Sequence, residues 1–244
     1  MPVKRQLTRF ESTIKPGRLR GVSHWPIRGV MVRQHFTHVT TWVFDLDNTL
    51  YPPQARLFDQ IEARMTSFVM EFLRVERAEA DRIRHAYWRE HGTTLAGLMR
   101  CHDLDPDRYL REVHDISLDH LAPDPDLAGA IRALPGRKIV YTNGSGEYAG
   151  RVVAARGLSG AFDAVYGVEH AGFRPKPEAC AFAAVLERDG SEAGRAAMFE
   201  DDPRNLAAPH DMGMRTVHVA PEPVPATHIH YHTDDLGGFL ARLV

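Results

Sequence analysis

This sequence of 244 residues contains little cysteine and no long hydrophobic run. The only two cysteines, Cys101 and Cys180, lie far apart without a CxxC or similar ligand spacing. This scarcity argues against a disulfide framework or a cysteine-based zinc site, and it fits a reducing compartment. No apolar run approaches the roughly 18 residues that a membrane span requires. We therefore expect a cytoplasmic protein that does not enter the membrane.

Acidic residues are scarce at the start of the chain, where basic residues are concentrated. Residues 1–40 contain eight Lys or Arg and one acidic residue, Glu11, whereas the rest of the chain has 22 basic and 31 acidic residues. The apolar segment and small-residue cleavage site of a secretory signal are missing. We predict a basic, disordered leader over residues 1–40. An organelle-targeting segment, a nucleic-acid-binding arm and translation from Met31 are the alternatives.

Five short apolar runs rich in β-branched and aromatic residues predict strands. Segments of helical length, ending at or near glycine, separate the last four runs. This alternation is typical of a doubly wound parallel α/β sheet, whose ligands collect at the carboxyl ends of the strands. The predicted strands are 41–45, 138–142, 162–168, 196–199 and 214–219.

Residues 51–123 interrupt this alternation, because they contain no convincing strand. Apolar residues recur there at spacings of three and four, as in an amphipathic helix. These residues are Leu57, Ile61, Met65, Phe68 and Phe72. We therefore predict an inserted all-helical domain over residues 51–123 and an α/β core formed by residues 41–50 and 124–244.

Two carboxylates, Asp45 and Asp47, follow the first predicted strand. Side chains at positions i and i+2 of an extended chain lie on the same face. Two anions so close repel each other, unless a cation neutralises one or a proton neutralises the other. Both arrangements are useful in catalysis, because Mg²⁺ binds carboxylate and phosphate oxygens together and a protonated carboxyl can protonate a leaving group.

Four strand ends together resemble the signatures of the haloacid dehalogenase (HAD) superfamily. DLDNTL at residues 45–50 is similar to the first signature, DxDxT. The other three matches follow in family order at Thr142, at Lys176 between two prolines, and in the acidic run of residues 200–202. The resemblance implies a HAD-like core in which the inserted helical domain forms a cap over the site.

This resemblance implies a Mg²⁺-dependent phosphatase with an aspartyl-phosphate intermediate. Asp45 is the implied nucleophile, and Asp47 the implied acid that protonates the leaving oxygen and later activates water. The implied magnesium ligands are Asp45, the Asp47 carbonyl and Asp201. Asp202 is implied to contact these ligands rather than the ion. The implied phosphate-binding residues are Thr142, Asn143 and Lys176. Dehalogenases of this superfamily lack a second aspartate at the position of Asp47, which favours phosphate chemistry.

Two other motifs suggest different ligands. Residues 144–149, GSGEYA, satisfy the GxGxxG/A pattern of dinucleotide-binding proteins, but Glu169 is the best candidate for the required acidic residue and it lies too far along the chain. The alternating His228, His230 and His232 could form a second metal site. No carboxylate or cysteine joins them at ligand spacing, so a surface strand is the simpler interpretation.

The predicted cap resembles that of the pyrimidine 5'-nucleotidase group. Its aromatic and hydroxyl side chains could stack on a nucleobase or form hydrogen bonds with it. The candidates are Tyr87, Trp88, His91, Thr93 and Thr94. The alternative for the aromatic residues is a place in the hydrophobic interior of the cap.

The predicted substrate is a small phosphate ester, preferably a pyrimidine nucleoside 5'-monophosphate. A sugar phosphate, phosphoglycolate or a phosphomutase reaction are alternatives with the same chemistry. A catalytically inactive binding protein whose basic leader contacts nucleic acid is the alternative from another class, which the intact signatures disfavour. The sequence leaves the oligomeric state open.

Overall fold

A parallel sheet of six strands lies at the centre of the computed structural model, which describes residues 29–244. The strands are β1 (Thr41–Phe44), β2 (Arg137–Tyr141), β3 (Ala164–Tyr166), β4 (Ala196–Glu200), β5 (Arg215–Val219) and β6 (Tyr231–Thr233). They are arranged in the order β3-β2-β1-β4-β5-β6, and all neighbouring pairs are parallel. The predicted α/β fold is therefore confirmed.

Helices surround this sheet and also follow its first strand. Ten α-helices occur between residues 29 and 244, and none of them combines the length and the apolar character needed to cross a bilayer. They are α1 (Gly29–Gln34), α2 (Leu57–Leu73), α3 (Arg77–His91), α4 (Thr94–His102), α5 (Pro106–Val113), α6 (Pro125–Ala133), α7 (Gly146–Ala155), α8 (Ala179–Asp189), α9 (Ala207–Asp211) and α10 (Leu236–Ala241). Short 3₁₀ turns span Pro53–Ala55, Val168–Ala171, Ala193–Arg195 and Pro203–Leu206.

The sheet is covered on both faces, which explains why its central strands are almost wholly apolar. Helices α1, α6, α7 and α10 contribute to the hydrophobic cluster that contains Phe44 and Phe199. Helix α8 packs against the opposite face, in the cluster that contains Val43 and Met198. Strand β1 is buried along its whole length, with β2 on one side and β4 on the other. The end of β1 is therefore fixed on all sides.

Helices α2 to α5 form a separate layer between β1 and β2 in the sequence. They share a hydrophobic cluster that also includes Val168 of the turn after β3. In it, Phe68 of α2 packs edge-on against Tyr109 of α5 with ring centroids 5.0 Å apart. Helix α3 packs between α2 and α4, with Ala80 fully buried. Their contacts with each other allow these helices to hold one shape while they contact the sheet edge.

The leader predicted over residues 1–40 needs correction at its end. Helix α1 begins at Gly29, and Val32, Phe36 and Val39 are buried in the core. The ring of Phe36 stacks on Trp42 and meets Phe239 edge-on, with ring centroids 6.0 Å apart in both pairs. Residues 29–40 therefore belong to the folded domain, and the rest of the predicted leader lies outside the described residues.

The alternating histidines of the HxHxH motif have structural roles. His228 Nε2 bonds to the Pro203 carbonyl at 2.8 Å, and His232 Nε2 bonds to the Ala220 carbonyl at 2.8 Å. His230 Nδ1 lies 2.7 Å from the hydroxyl of Thr216. The three imidazoles thus tie the segment before and within β6 to neighbouring loops and to β5.

Candidate active site

The carboxyl end of β1 brings Asp45 beside an acidic residue of β4. Phe44 pairs with Phe199 in the parallel register, so the residues that follow them, Asp45 and Glu200, are neighbours. The Asp45 amide donates to the Phe199 carbonyl at 2.9 Å, which continues the ladder by one residue. Both carboxylates are buried.

Lys176 is the cation that compensates these carboxylates. Its Nζ donates to Asp45 Oδ1 at 2.5 Å, to Glu200 Oε2 at 2.7 Å and to the Tyr141 carbonyl at 3.1 Å. Burial alone would lower the pKa of Lys176, but its two carboxylate partners raise it, so the side chain stays charged. An ammonium group has three donors, and the protein engages all of them. Lys176 therefore orients the predicted nucleophile.

Asn143 fixes the backbone of Lys176. Its Oδ1 accepts from the Lys176 amide at 2.7 Å, and its Nδ2 donates to the Lys176 carbonyl at 3.1 Å. Asn143 is predicted to bind phosphate. Its side-chain amide holds the loop that carries the lysine, and the residue also lines the cavity described below.

One cation does not balance the negative charge at this sheet edge. Oxygen atoms of Asp45, Glu200 and Asp201 lie within 4.8 Å of one another. Burial and then the Glu200 carboxylate raise the pKa of Asp45 to about 7, although Lys176 opposes this. Burial and the same neighbouring carboxylates raise the pKa of Asp201 to about 10. Burial and the repulsion between these carboxylates therefore keep both groups protonated to a higher pH than ordinary aspartates.

A hard divalent cation fits this cluster. Three carboxylates supply the oxygen ligands that Mg²⁺ prefers, and its charge would relieve their mutual repulsion. Asp201 is oriented by two neighbours, since its carbonyl bonds to His218 Nε2 at 3.0 Å and its Oδ2 accepts from Asn48 at 3.4 Å. The residues that could hold Mg²⁺ are thus Asp45, Glu200 and Asp201, together with the predicted Asp47 carbonyl.

Asp47 lies in the same cavity as Asp45 but has a different environment. Its Oδ1 accepts from the hydroxyl of Tyr51 at 2.6 Å and from the hydroxyl of Tyr148 at 2.8 Å. Burial and then the Asp45 carboxylate raise the pKa of Asp47 to about 6, although both tyrosine bonds lower it. A carboxyl group with a pKa near neutrality can both donate and accept a proton under physiological conditions.

Thr142 follows β2 on the opposite side of β1 from Glu200. Its side chain is almost fully buried and accepts from the Gly144 amide at 2.9 Å. A hydroxyl that accepts in this way still has its proton available for an oxygen of a bound phosphate. The structure thus brings Asp45, Asp47, Thr142 and Lys176 to one cavity, as the sequence order of the strand ends predicts.

Asp202 does not join the acidic cluster. It caps the 3₁₀ turn at Pro203 by accepting from the Arg204 amide at 3.0 Å, and it pairs with the Arg204 guanidinium at 2.6 Å. That guanidinium lies 3.5 Å above the ring centroid of Trp88 in α3. Asp202 and Arg204 therefore connect the loop after β4 to the helical layer.

A cavity of about 470 Å³ extends from the carboxylates to helices α2 to α5. Of the five predicted specificity residues, Trp88, Thr93 and Thr94 line it. Phe58, Ile61 and Met65 of α2 form an apolar part of its wall. Glu62 of α2 and Arg84 and His85 of α3 form a polar part. The Thr93 hydroxyl is already used as the cap of α4, where it accepts from the Ala96 amide.

Tyr87 and His91, which are predicted to contact the substrate, do not line this cavity. Tyr87 is turned from Trp88 by about 100° around α3, whereas His91 lies nearer to the face of Trp88, at the last residue of the helix. The ring of Tyr87 packs on Gly97 of α4, and its hydroxyl bonds to His102 Nε2 at 2.6 Å. The ring of His91 packs on that of Tyr87. Both side chains therefore join α3 to α4.

The glycine-rich segment before α7 does not leave space for a dinucleotide phosphate. Glu169 Oε1 accepts from the Gly146 amide at 2.8 Å, so a carboxylate of the protein occupies the start of the helix. A Cβ atom at Gly167 would lie 2.2 Å from the Gly146 nitrogen, which shows how closely the backbones approach. The glycines thus serve packing between α7 and the loop after β3.

Three residues of the candidate site cannot be identified from the sequence. Glu200 is the first in a run of three acids that ends at Asp202, and only the register of β1 with β4 places it beside Asp45. Tyr51 lies four residues after Asp47 and was assigned to the cap pattern. Tyr148 lies within the competing glycine motif, with no local signal that connects it to Asp47.

The chain resembles known hydrolases over most of its length. A family model described as haloacid dehalogenase-like hydrolase matches residues 39–213. "Phosphate metabolism protein 8" of Saccharomyces cerevisiae is 27% identical over 190 residues, which is 70% of this chain and 58% of that protein. The chain thus spans less than two thirds of this relative's length.

Solved structures of several hydrolases share the fold. The putative HAD-hydrolase YfnB from Bacillus subtilis, bound to magnesium, has a TM-score of 0.54 at 18% identity, covering 84% of this chain and 98% of that one. A HAD phosphatase from Thermococcus onnurineus has a TM-score of 0.53 at 19% identity, covering 80% and 93%. A 2-haloacid dehalogenase from Pseudomonas syringae has a TM-score of 0.52 at 20% identity, covering 84% and 100%. At these identities the likeness extends to the fold, which phosphatases and dehalogenases share.

Proposed function

This chain belongs to the haloacid dehalogenase-like hydrolase family, and we propose that it is a Mg²⁺-dependent phosphatase acting on nucleoside 5'-monophosphates, with pyrimidine nucleotides preferred. The observation that carries the phosphatase proposal is the placement of Asp45 and Asp47 in one cavity, with Lys176 bonded to the first of them. A nucleophile and an acid that differ in environment can act in the same reaction.

In the first step, an oxygen of Asp45 attacks phosphorus and the bond from phosphorus to the ester oxygen breaks. Asp47 gives its proton to that oxygen, so the product leaves as an alcohol. The buried Lys176 holds Asp45 in place, and the Thr142 hydroxyl donates to a phosphate oxygen. Mg²⁺, when bound, supplies positive charge beside the phosphate oxygens and neutralises the carboxylate cluster.

In the second step, water attacks phosphorus and the bond to Asp45 breaks. Asp47, now a carboxylate, accepts a proton from the attacking water. Inorganic phosphate leaves, and both aspartates return to their initial protonation states. The helices above the cavity exclude bulk water while the first step proceeds.

The shape of the cavity supports a nucleotide substrate. Its volume of about 470 Å³ is within the usual range of about 300 to 1,000 Å³ for small-molecule sites. It has aromatic and aliphatic side chains from α2 and α3, which suit the face of a base, and it has Glu62, Arg84 and Thr94, which suit the edge. The yeast relative's name, with its reference to phosphate metabolism, agrees with this chemistry.

A panel of phosphate esters tests the proposal. We expect phosphate release that requires Mg²⁺, with UMP and CMP turned over faster than AMP, sugar phosphates and phosphoglycolate. Equal turnover of all nucleotides would remove the pyrimidine preference, and selective turnover of a sugar phosphate would identify the alternative substrate class. Conversion of one phosphate isomer into another would identify a phosphomutase. Halide release from a 2-haloacid without phosphate release would refute the phosphatase proposal.

Exchange of the nucleophile provides the matched control. Asp45→Asn keeps the size of the side chain, so we expect a folded protein without phosphatase activity, and substantial residual turnover would contradict the covalent mechanism. The same assays address an inactive binding protein, since wild-type protein without hydrolase activity would favour it. Cytoplasmic location remains a prediction.

A further inference from the structure

Two tyrosine hydroxyls converge on one oxygen of Asp47. Tyr51 and Tyr148 lie far apart in the sequence, yet both donate to Asp47 Oδ1, at 2.6 and 2.8 Å. A carboxylate oxygen has two lone-pair positions, so these two bonds fill the capacity of Oδ1. Among the described residues, none bonds to Oδ2. The two oxygens of Asp47 are therefore unequal, with one bound by the protein and the other available.

The tyrosines are held rigidly enough to impose this asymmetry. Both side chains are almost fully buried in the core cluster on one face of the sheet. Ser145 caps α7 by accepting from the Tyr148 amide at 3.2 Å, which fixes the backbone from which that side chain projects. Burial and the nearby Asp47 carboxylate raise the pKa of both hydroxyls, so both remain donors at neutral pH.

The end of the helical layer touches one of these tyrosines. His114 follows α5, and its ring stacks on Tyr148 with centroids 4.5 Å apart and planes 10° apart. Its Nδ1 lies 2.9 Å from the Leu110 carbonyl, and its own carbonyl accepts from Arg151 at 2.5 Å. The ring of His114 therefore restrains the face of Tyr148 that is turned toward the cavity.

We propose that Tyr51 and Tyr148 are positioning residues that hold Asp47 by Oδ1, so that Oδ2 carries the proton to the leaving oxygen, and that His114 keeps Tyr148 in place. This inference rests on the proposed function, because it requires Asp47 to be the acid of a phosphate transfer. The proton passes from Oδ2 to the ester oxygen as the bond to phosphorus breaks, and a proton of the attacking water returns to Oδ2 in the second step.

The dependence of rate on the leaving group tests this role. An alkyl ester such as glycerol phosphate or UMP needs a proton on its leaving oxygen, whereas 4-nitrophenyl phosphate releases a stable anion without one. Asp47→Asn shows how much more the alkyl ester is slowed than 4-nitrophenyl phosphate when the acid is removed. We expect Tyr148→Phe and Tyr51→Phe each to lower kcat/KM for the alkyl ester by about tenfold or more, and the double variant to approach Asp47→Asn. The kcat/KM for 4-nitrophenyl phosphate should change less than about threefold, because this constant covers the steps up to release of the leaving group and not the second step, in which Asp47 also acts.

Tyr166→Phe is the matched control. The Tyr166 hydroxyl also donates to a buried carboxylate, that of Asp189, at 3.0 Å, but neither residue lines the cavity. Its loss should leave the ratio of the two rates unchanged. For His114, the alanine variant should lower kcat/KM for the alkyl ester selectively, and His114→Phe, which keeps a ring over Tyr148, should restore most of it.

The outcomes separate this inference from the proposed function. If the wild-type protein hydrolyses neither ester, the proposed function fails. If Asp47→Asn lowers kcat/KM for both esters equally, Asp47 is not the acid. If Asp47→Asn is selective and the tyrosine variants slow both esters equally or neither of them, the positioning role alone is refuted.

Discussion

Magnesium should bind this protein more tightly as the pH rises from 6 to 8, because Asp45 and Asp201 must first lose protons. In the metal-free protein, burial and neighbouring carboxylates raise the pKa of Asp45 from 3.8 to about 7 and that of Asp201 from 3.8 to about 10. A cation binds the carboxylate form, so it competes with these protons. Ordinary carboxylates would be ionised over this whole range and would show no such dependence.

The expected size follows from the two pKa values. With a pKa of about 7, Asp45 is roughly nine-tenths protonated at pH 6 and one-tenth at pH 8, so the Kd for Mg²⁺ tightens about tenfold, or about 1.4 kcal/mol. Asp201, with a pKa of about 10, stays protonated throughout and can add up to about a hundredfold. The total dependence therefore lies between about tenfold and a thousandfold.

The stability of the metal-free protein changes in the opposite direction. A raised carboxyl pKa stabilises the fold fully below the unfolded value of 3.8, and for Asp45 this stabilisation is lost as the pH rises through about 7. Titration of histidines also affects stability between pH 5 and 7. The useful quantity is therefore the difference between the unfolding free energies with and without Mg²⁺ at each pH. The same histidines titrate in both cases, so their contribution cancels in this difference.

Isothermal titration calorimetry at pH 6, 7 and 8, in two buffers with different ionisation enthalpies, measures both the Kd and the protons released. At pH 6 we expect about one to two protons released per Mg²⁺ bound. Asp202→Asn is the control, since Asp202 pairs with Arg204 and should not alter the pH dependence. A Kd that is constant from pH 6 to 8, without proton release, would refute the electrostatic account of the cluster.

Three further predictions concern stability and the helical layer. Lys176→Met should lower the unfolding free energy of the metal-free protein by about 3 to 5 kcal/mol in urea titrations, because it leaves Asp45 and Glu200 buried without their cation; equal stability would contradict this. Phe36→Ala should cost about 3 to 5 kcal/mol in the same assay, since Phe36 is only 3% exposed, whereas a residue in a disordered leader would cost nothing. Trp88→Ala should raise KM about two- to fivefold, because it removes the stacking of Arg204 on Trp88 and an exposed cation–π pair contributes roughly 0.5 to 1 kcal/mol. An unchanged KM would show that this stacking does not affect substrate binding.

The fold was predictable because its main signals are local. Strands β1, β2, β4 and β5 coincide with apolar runs, since buried parallel strands need apolar side chains on both faces. Helix α1 was missed, because it has six residues and follows a basic segment, and because the turn after it is anchored by Phe36, which packs against Phe239 far along the chain. Strand β6 was interpreted as a surface strand, although two of its three residues are buried.

The site was predictable mainly from residues at strand ends, such as Asp45, Thr142 and Asp201. Glu200 also ends a strand, but its place beside Asp45 depends on the register of β1 with β4, and the role of Tyr148 depends on a contact between distant segments. The position of Tyr87 could have been found from helical phase, since it is turned by about 100° from Trp88, whereas that of His91 depends on the packing of α3 against α4.

The position of β1 has a consequence for the order in which the protein matures. This strand is the first of the described strands and yet central in the sheet, so its partner β4 is added much later, with Thr41 paired to Ala196. A ribosome-bound chain that ends before β4 possesses the predicted nucleophile but lacks Glu200 and Asp201, two of the three clustered carboxylates. Binding of Mg²⁺ at the proposed site would therefore be a late event in biosynthesis, and it would report the pairing of β1 with β4 rather than general collapse.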